Sequence, residues 1–483
     1  MTGLLALFVA VLAIYFILGT VLAWASRRSL KSRNIREYYV AGGRLGTFLS
    51  ALTYAATTYS SFMIVGLVGF AYATGVGSLG FELSYYVATL GLLSLVSYRV
   101  WTMSRARGWI SPGEMIGDLA GARWIAVLAG ILYLGALIPY ASAQVKAIGE
   151  TIAASAGGHY YLWGVLFGLA VMLVWSGLAG IWSVAVTDAL QGLWMLVAGT
   201  LLLAWLVAVL HSHGITLSMV GRVLDSKGLM SVGKGFWTPA MFLAFTAPWI
   251  FFAVTNPQVV QRLYMPKDER SLKGMIKWFG VFGLYYTVLV TLIGLLARGG
   301  VMLNVLDIHP AKKDQVTPLL LTVTNPVLGA IVFTSIIAAS VSTADSILLT
   351  LASIAAEDLT PSGWDEGKKR IVGYAALVIV AILMAAVAAL RISYIVALSV
   401  LSSVLLLGFA VPTLALVAGL RVEAWSVALS ILTAPAVIIA GYLYGLHEPV
   451  LLFAHPVHGL PLSAWILIIS TIITLLGVRR GSR

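Results

Sequence analysis

Thirteen predominantly apolar runs follow one another along this 483-residue chain, each long enough to cross about 30 Å of hydrocarbon as a helix. They lie near residues 2–25, 46–75, 79–104, 124–156, 159–179, 183–211, 236–264, 272–300, 317–356, 371–390, 393–419, 423–446 and 461–478, separated by charged or Gly/Pro-rich breaks. In hydrocarbon every backbone polar group needs an internal partner, so such runs fold as helices. With 60% hydrophobic and 10% charged residues, the expected class is an all-α polytopic membrane protein, one membrane domain over residues 1–483. The opening run is too long for a signal peptide and lacks a basic start and a small-residue cleavage site, so it reads as a first spanning helix. There is no Cys, which removes disulfides, thiolate metal sites and thiol nucleophiles.

The net charge of +12 sits in loops, mostly on one side, which points to membrane topology and not to nucleic acid. Loops after the first, third, seventh, ninth and eleventh runs, with the C-terminal tail, hold 22 of the 30 Lys and Arg, among them Arg33, Lys267 and Arg480. Opposite loops hold seven, and Lys146 is intramembrane. The basic side belongs in the cytoplasm, so the N-terminus is expected outside and the C-terminus inside a cell membrane. All seven His, His447 included, fall in or beside outer loops, and no HExxH, GxSxG or His/Asp cluster occurs at membrane depth. The chain is therefore not expected to be an enzyme.

Polar residues inside the apolar runs carry the functional signal. The segment IVFTSIIAASVSTADSILLTLASIAAED at 331–358 places Ser335, Ser342, Thr343, Ser346, Thr350 and Ser353 on one helical face with Ala339, Asp345 at its border. Such an oxygen ladder suits a small hard cation; packing between membrane helices is the other use of hydroxyls. The second run holds five consecutive polar or hydroxylated residues, Thr57, Thr58, Tyr59, Ser60 and Ser61, and the seventh holds Pro248 and Pro257. Both helices should be interrupted there, freeing backbone carbonyls. Two broken helices five apart predict a 5+5 inverted repeat, 46–211 matching 236–419, with 1–25 and 423–483 peripheral and a binding site at the interface. Asp188 is either part of a cation site with Asp345 and Ser346 or a cap after Thr187. Lys146 and Glu150 read as a structural i,i+4 pair. Glu82 faces either a cavity or outer water.

Four stretches together resemble the sodium:solute symporter family over nearly the whole chain. EYYVAGGRLGTFLSALTYAATTYSS resembles the approach to that family's second helix, and GLAGIWSVAVTDALQ its G-G-x-x-A-V-x-x-T-D-x-x-Q stretch. AASVSTADS followed by EDL resembles its ninth helix, and WISPGEMIG its Pro-Glu/Asp turn after helix three. The resemblance implies a LeuT-like fold of about thirteen helices. It implies Na+ as coupling ion at a first site made by the carbonyls of Ala56, Tyr59 and Ala339 with the hydroxyls of Ser342 and Thr343. Some members have a second sodium site, here Asp188, Ser342, Asp345 and Ser346, with Asp345 departing from the usual residue.

A sodium-coupled symporter of a small organic solute by alternating access is therefore expected. In the proline-transporting branch an Asp matches Thr58, and its absence here argues against a cationic amino group; a carboxylate-bearing solute without an amine, a monocarboxylate or pantothenate, is favoured, and an amino acid such as proline stays in the expected class. Glu82 keeps a sugar open. Lining candidates are Thr58, Ser61, Phe62, Glu82, Tyr86, Gln144, Trp249 and Asn256. Partners are the solute, Na+ and the lipid bilayer; neither nucleic acid nor an obligate protein partner is inferred. The rivals are a proton-coupled transporter using Asp188 or Asp345, and a sensor on a transporter scaffold, which would usually append a signalling domain.

Overall fold

The computed structural model describes residues 2–32, 34–233, 235–445 and 451–479; Arg33, His447 and Arg480, used above for topology, lie outside them. The described chain is nearly all helix, with one two-residue ladder between Pro456–Val457 and Leu460–Pro461. We number the membrane helices α1 (Thr2–Ser26), α2 (Thr47–Thr58 and Phe62–Thr74), α3 (Gly77–Arg107), α4 (Arg123–Ala156), α5 (Tyr161–Ala179) and α6 (Ile181–Ser212). They continue with α7 (Pro239–Ile250, Phe252–Thr255 and Pro257–Arg262), α8 (Glu269–Met302), α9 (Pro326–Glu357), α10 (Glu366–Ala389), α11 (Ile395–Val417), α12 (Ala424–Leu443) and α13 (Leu462–Leu476).

All thirteen expected runs are helical, but not all are full spans. Among the described residues ten helices are long and apolar enough to cross a bilayer, or eleven if the two halves of α2, bent by 45°, count as one. The α7 run is cut into three short pieces, and α13 has 15 residues, about 22 Å at 1.5 Å per residue. The expected run 317–356 also divides. Asn325 caps Leu328 N–H at 2.9 Å with Pro326 at the first helical position, so α9 starts afresh there, preceded by the short helix Val316–Val323.

Breaks fall where the sequence removes donors. Pro248 has no N–H for the carbonyl of Ala244; the Ser463 hydroxyl of α13 donates to that oxygen at 3.3 Å. Pro412 leaves the Gly408 carbonyl in the same position, and Ser470 of α13 donates to it at 3.1 Å. One short peripheral helix thus satisfies two proline-freed carbonyls. The α5–α6 turn is a single glycine, Gly180 at φ +59°, a conformation open to glycine at little cost.

The four motifs meet in pairs. Trp182 of the GIW stretch donates to the Glu37 carboxylate at 2.9 Å, Arg44 pairs with Glu37, and the Arg44 guanidinium lies 5.2 Å from the Trp182 ring. In WISPGEMIG, Ser111 caps Glu114 N–H at 2.9 Å and donates to Asp358 at the end of α9 at 2.6 Å. At the centre of the bundle is α9, buried along nearly its whole length, which packs on α1, α4, α5, α6, α10 and the first half of α2.

On the face that the charge asymmetry assigns outward, the loop 303–315 folds over the second half of α2. Thr317 donates to the Ile64 carbonyl at 2.5 Å, and a Cβ on Gly69 would collide with the backbone carbonyl of Lys313. Gly69→Val is expected to lift this loop and to cost about 1–3 kcal/mol, read as a lowered Tm; an unchanged Tm would show that the loop is not seated there.

Candidate ion and solute site at the broken helices

The first half of α2 stops because Tyr59 turns extended, at φ −95° and ψ 107°, after donating its N–H to Ala55 at 2.7 Å. The carbonyls before it meet hydroxyls from α9. Ser342 donates to the Ala56 carbonyl at 3.1 Å and to the Ala339 carbonyl at 3.1 Å; Thr343 donates to Ala56 at 3.1 Å and to Thr57 at 3.3 Å. All of these residues are fully buried. For a cation held at about 2.4 Å, ligand oxygens at right angles stand about 3.4 Å apart. The observed spacing needs only a few tenths of an ångström of expansion, with the hydroxyl protons turned outward. Tyr59 sits at the same break, its ring stacked on Phe279 and Phe282 of α8 at 5.6 and 5.7 Å.

The second expected set is not brought together as expected. Asp188 accepts from Thr53 of α2 at 2.6 Å, and it is no cap, since α6 already begins at Ile181. Asp345 points elsewhere, accepting from Ser176 of α5 at 2.9 Å. Its place at the border of the hydroxyl face turns it toward α5, while Ser346, one residue on, faces α2. Ser346 lies 2.8 Å from the Thr57 hydroxyl.

Between Asp188 and Ser346 stands a residue that the reading by loops misplaced. Arg262, one of the 22 cations credited above to the loops of the basic side, ends the last piece of α7, and its side chain is fully buried. Its guanidinium is 4.0 Å from Asp188, donates to Ser346 at 2.5 Å and to Thr53 at 3.2 Å. Gln258, Gln261 and Arg262 lie on the short helix begun at Pro257, and all three are buried. Gln261 bridges the lower ladder, donating to Ser353 and accepting from Thr350, both at 2.8 Å. Thr350 and Ser353 are therefore packing hydroxyls, while the Ser335 hydroxyl has no partner.

The solute candidates divide likewise. Ser61 donates to Gln144 at 2.7 Å, and Phe62 and Trp249 face one another at 4.9 Å. Phe252 stacks on Trp249 at 4.9 Å and Tyr85 meets it edge-on at 5.0 Å; Tyr140 lies beyond at 6.4 Å. These three aromatics were not expected from sequence, where they look like any interior ring. Thr58 Oγ1, Asn256 Oδ1 and Trp249 Nε1 are buried without partners among the described residues. Glu82 is fully buried rather than facing outer water, both of its oxygens unpartnered. Tyr86 does not belong: it is half-exposed, and its hydroxyl donates to Gly280 of α8 at 2.9 Å, because it lies one residue beyond Tyr85 on another face of α3.

Lys146 and Glu150 are the expected pair, 3.8 Å apart, but within a larger network. Lys146 is paired more closely with Asp314, and Glu150 binds Arg391 at 3.1 Å.

The sodium:solute symporter family matches residues 38–418. Osmoregulated proline transporter OpuE of Bacillus subtilis (strain 168) is 24% identical over 72% of this chain and 70% of its own length. Sodium/proline symporter 2 of Staphylococcus saprophyticus is 22% identical over 67% of this chain and 63% of its own, so the chain spans less than two thirds of that relative. Among solved structures, a Na+-coupled sialic acid symporter in a substrate-bound outward-open state superposes with TM-score 0.78 at 17% identity, over 98% of this chain and 99% of that one. The expected LeuT-like fold is thereby met. A match from the first motif to the end of α11 leaves one conclusion: the chain belongs to the sodium:solute symporter family, as a multi-pass membrane transporter, not an enzyme, with sodium as coupling ion and a small organic solute as cargo.

Proposed function

We propose that sodium binds at the break of α2, between the carbonyls of Ala56, Tyr59 and Ala339 and the hydroxyls of Ser342 and Thr343, and drives import of a carboxylate-bearing solute. The observation that carries this reading is the convergence of both hydroxyls on the Ala56 carbonyl at 3.1 Å. An ion there ties α2 to α9, and coupling requires only that ion and solute favour the same conformational state. One charge moving through 100 mV supplies about 2.3 kcal/mol, roughly fifty-fold accumulation. The solute place is between the halves of α2 and α7, with Phe62, Trp249, Phe252 and Tyr85 as its apolar wall and Ser61, Gln144, Thr58 and Asn256 as polar contacts. We place the N-terminus outside the cell membrane, and take 46–211 and 236–419 as the two repeats.

Thr58 stands where the proline branch has an Asp, which favours a carboxylate solute without an amine. The two named relatives transport proline by their descriptions, and an amino acid would place its amine at Glu82. The same unpartnered carboxylate supports the second reading, a sugar whose hydroxyls Glu82 accepts. Arg262 beside Asp188 already supplies one cation to the second expected site, and we assign transport to the first.

The test is uptake into liposomes of labelled monocarboxylates, amino acids, vitamins and sugars under an inward sodium or equal potassium gradient. Sodium-dependent uptake of a carboxylate, with KM raised about tenfold or more in Trp249→Ala, is the expected result. Uptake driven by pH and indifferent to sodium would transfer coupling to Asp188 or Asp345; sodium-dependent uptake of sugars alone would select the second reading.

A further inference from the structure

A cavity lined by none of the residues assigned above to the ion or the solute opens on the face carrying loops 303–315 and 390–394. It measures about 370 Å³ and is lined by Lys146, Lys312, Lys313, Arg391, Ser393 and Tyr394, with Asp314 on its wall. Four cations thus meet Asp314 and the neighbouring Glu150, and a cleft with such an imbalance concentrates anions.

The cations differ in availability. Lys146 is 3% exposed and paired with Asp314. Arg391 binds Glu150 on one side and lies 3.7 Å from the Tyr161 ring on the other, with 36% of its side chain still open. Its backbone lies at φ +50°, a conformation uncommon for a side-chain-bearing residue; the guanidinium itself is held by Glu150 and the Tyr161 ring. Lys313 is half-buried and has no carboxylate within ion-pair distance among the described residues. Its ammonium lies 4.5 Å from the Tyr394 ring, 4.9 Å from Phe70 and 5.0 Å from Phe236. Aromatic faces stabilise a cation but leave its charge uncancelled.

The protein itself shows which anion suits the place. The Asp314 carboxylate accepts the Ile395 N–H at the start of α11, at 3.1 and 3.2 Å, together with the Lys146 ammonium. A carboxylate between a helix N-terminus and an ammonium is the chemistry built here, and Lys313 and Arg391 add two further cations to the lining of the same cavity.

We propose that this cavity is a binding site for a small carboxylate anion, held by Lys313 and Arg391 beside the Lys146–Asp314 pair. The anion site does not rest on the reading that the transported solute bears a carboxylate. The site is tested on the purified full-length protein by following Tm in sodium acetate and in sodium chloride at equal concentrations. Acetate is expected to raise Tm saturably and beyond chloride. Lys313→Gln and Arg391→Gln should each weaken half-saturation about tenfold, Arg391→Lys should retain the response, and Ser342→Ala should leave it intact. An equal response to chloride, or an acetate response unchanged in both Gln variants, overturns the proposal. So does a response lost in Trp249→Ala and kept in Lys313→Gln, which puts acetate at the broken helices. Liposome uptake is a separate readout: absence of carboxylate uptake with the acetate response intact overturns the solute assignment and leaves this site standing.

Discussion

Thr343→Val is expected to raise the sodium concentration for half-maximal uptake about tenfold to a hundredfold. Valine keeps the shape of threonine and removes only its hydroxyl. That hydroxyl reaches two backbone carbonyls at the break of α2, Ala56 at 3.1 Å and Thr57 at 3.3 Å. An oxygen facing a charge is worth about 1.5–3 kcal/mol, and valine fills the space of the lost hydroxyl at this fully buried position. Ser342→Ala should act alike, and the double variant should lose sodium-driven uptake altogether. Solute affinity at saturating sodium should change little in Thr343→Val, which separates a lost ion ligand from a distorted cavity. Initial uptake rates against sodium concentration make the measurement; an unchanged sodium dependence in both single variants would remove the site from α9.

Arg262→Met should destabilise the protein by about 3–5 kcal/mol, the cost of leaving a buried charge without its partner. Asp188 would lose its only ion-pair partner among the described residues, and Ser346 and Thr53 their guanidinium donor. Adding Asp188→Asn removes the stranded charge, so the double variant should recover most of the loss; the difference is the coupling between the two residues. Thermal unfolding in detergent reads it. Equal losses in the single and double variants would mean that the 4.0 Å approach carries no energy. Arg262→Lys keeps the charge but not the fork that reaches Thr53 and Ser346 together, and should fall between.

Residues whose role depends on chain-local properties were legible in advance. The break at Tyr59 follows from five polar residues in an apolar run, and the α7 break at Asn256 from Pro257. The first break of α7, at Phe251, comes three residues after Pro248, because the freed Ala244 carbonyl finds the Ser463 hydroxyl and the helix continues for a turn. Ser342 and Thr343 were legible because a helical wheel fixes their common face. Asp345 was not: near the edge of a face, whether a side chain turns to α5 or to α2 depends on which helix lies closer. Arg262 read as a loop cation because position next to a basic loop says nothing about which way a helix end points. Tyr85 and Tyr86 are neighbours in sequence, and the rotation of α3 alone decided that Tyr85 meets Trp249 while Tyr86 meets Gly280.

The sequence by itself determined that this chain is a bundle of membrane helices, with two of them broken and one carrying a hydroxyl face. Hydrophobic run length, proline chemistry and helical periodicity are properties of a single segment, and hydrocarbon leaves the backbone few alternatives. Only the tertiary structure decided which hydroxyls meet carbonyls and which meet Gln261, that Arg262 stands beside Asp188, and that Lys146 is paired with Asp314 from a loop 168 residues away. A polar group buried in a membrane protein must find a partner, but its own neighbours in the chain do not say where that partner comes from.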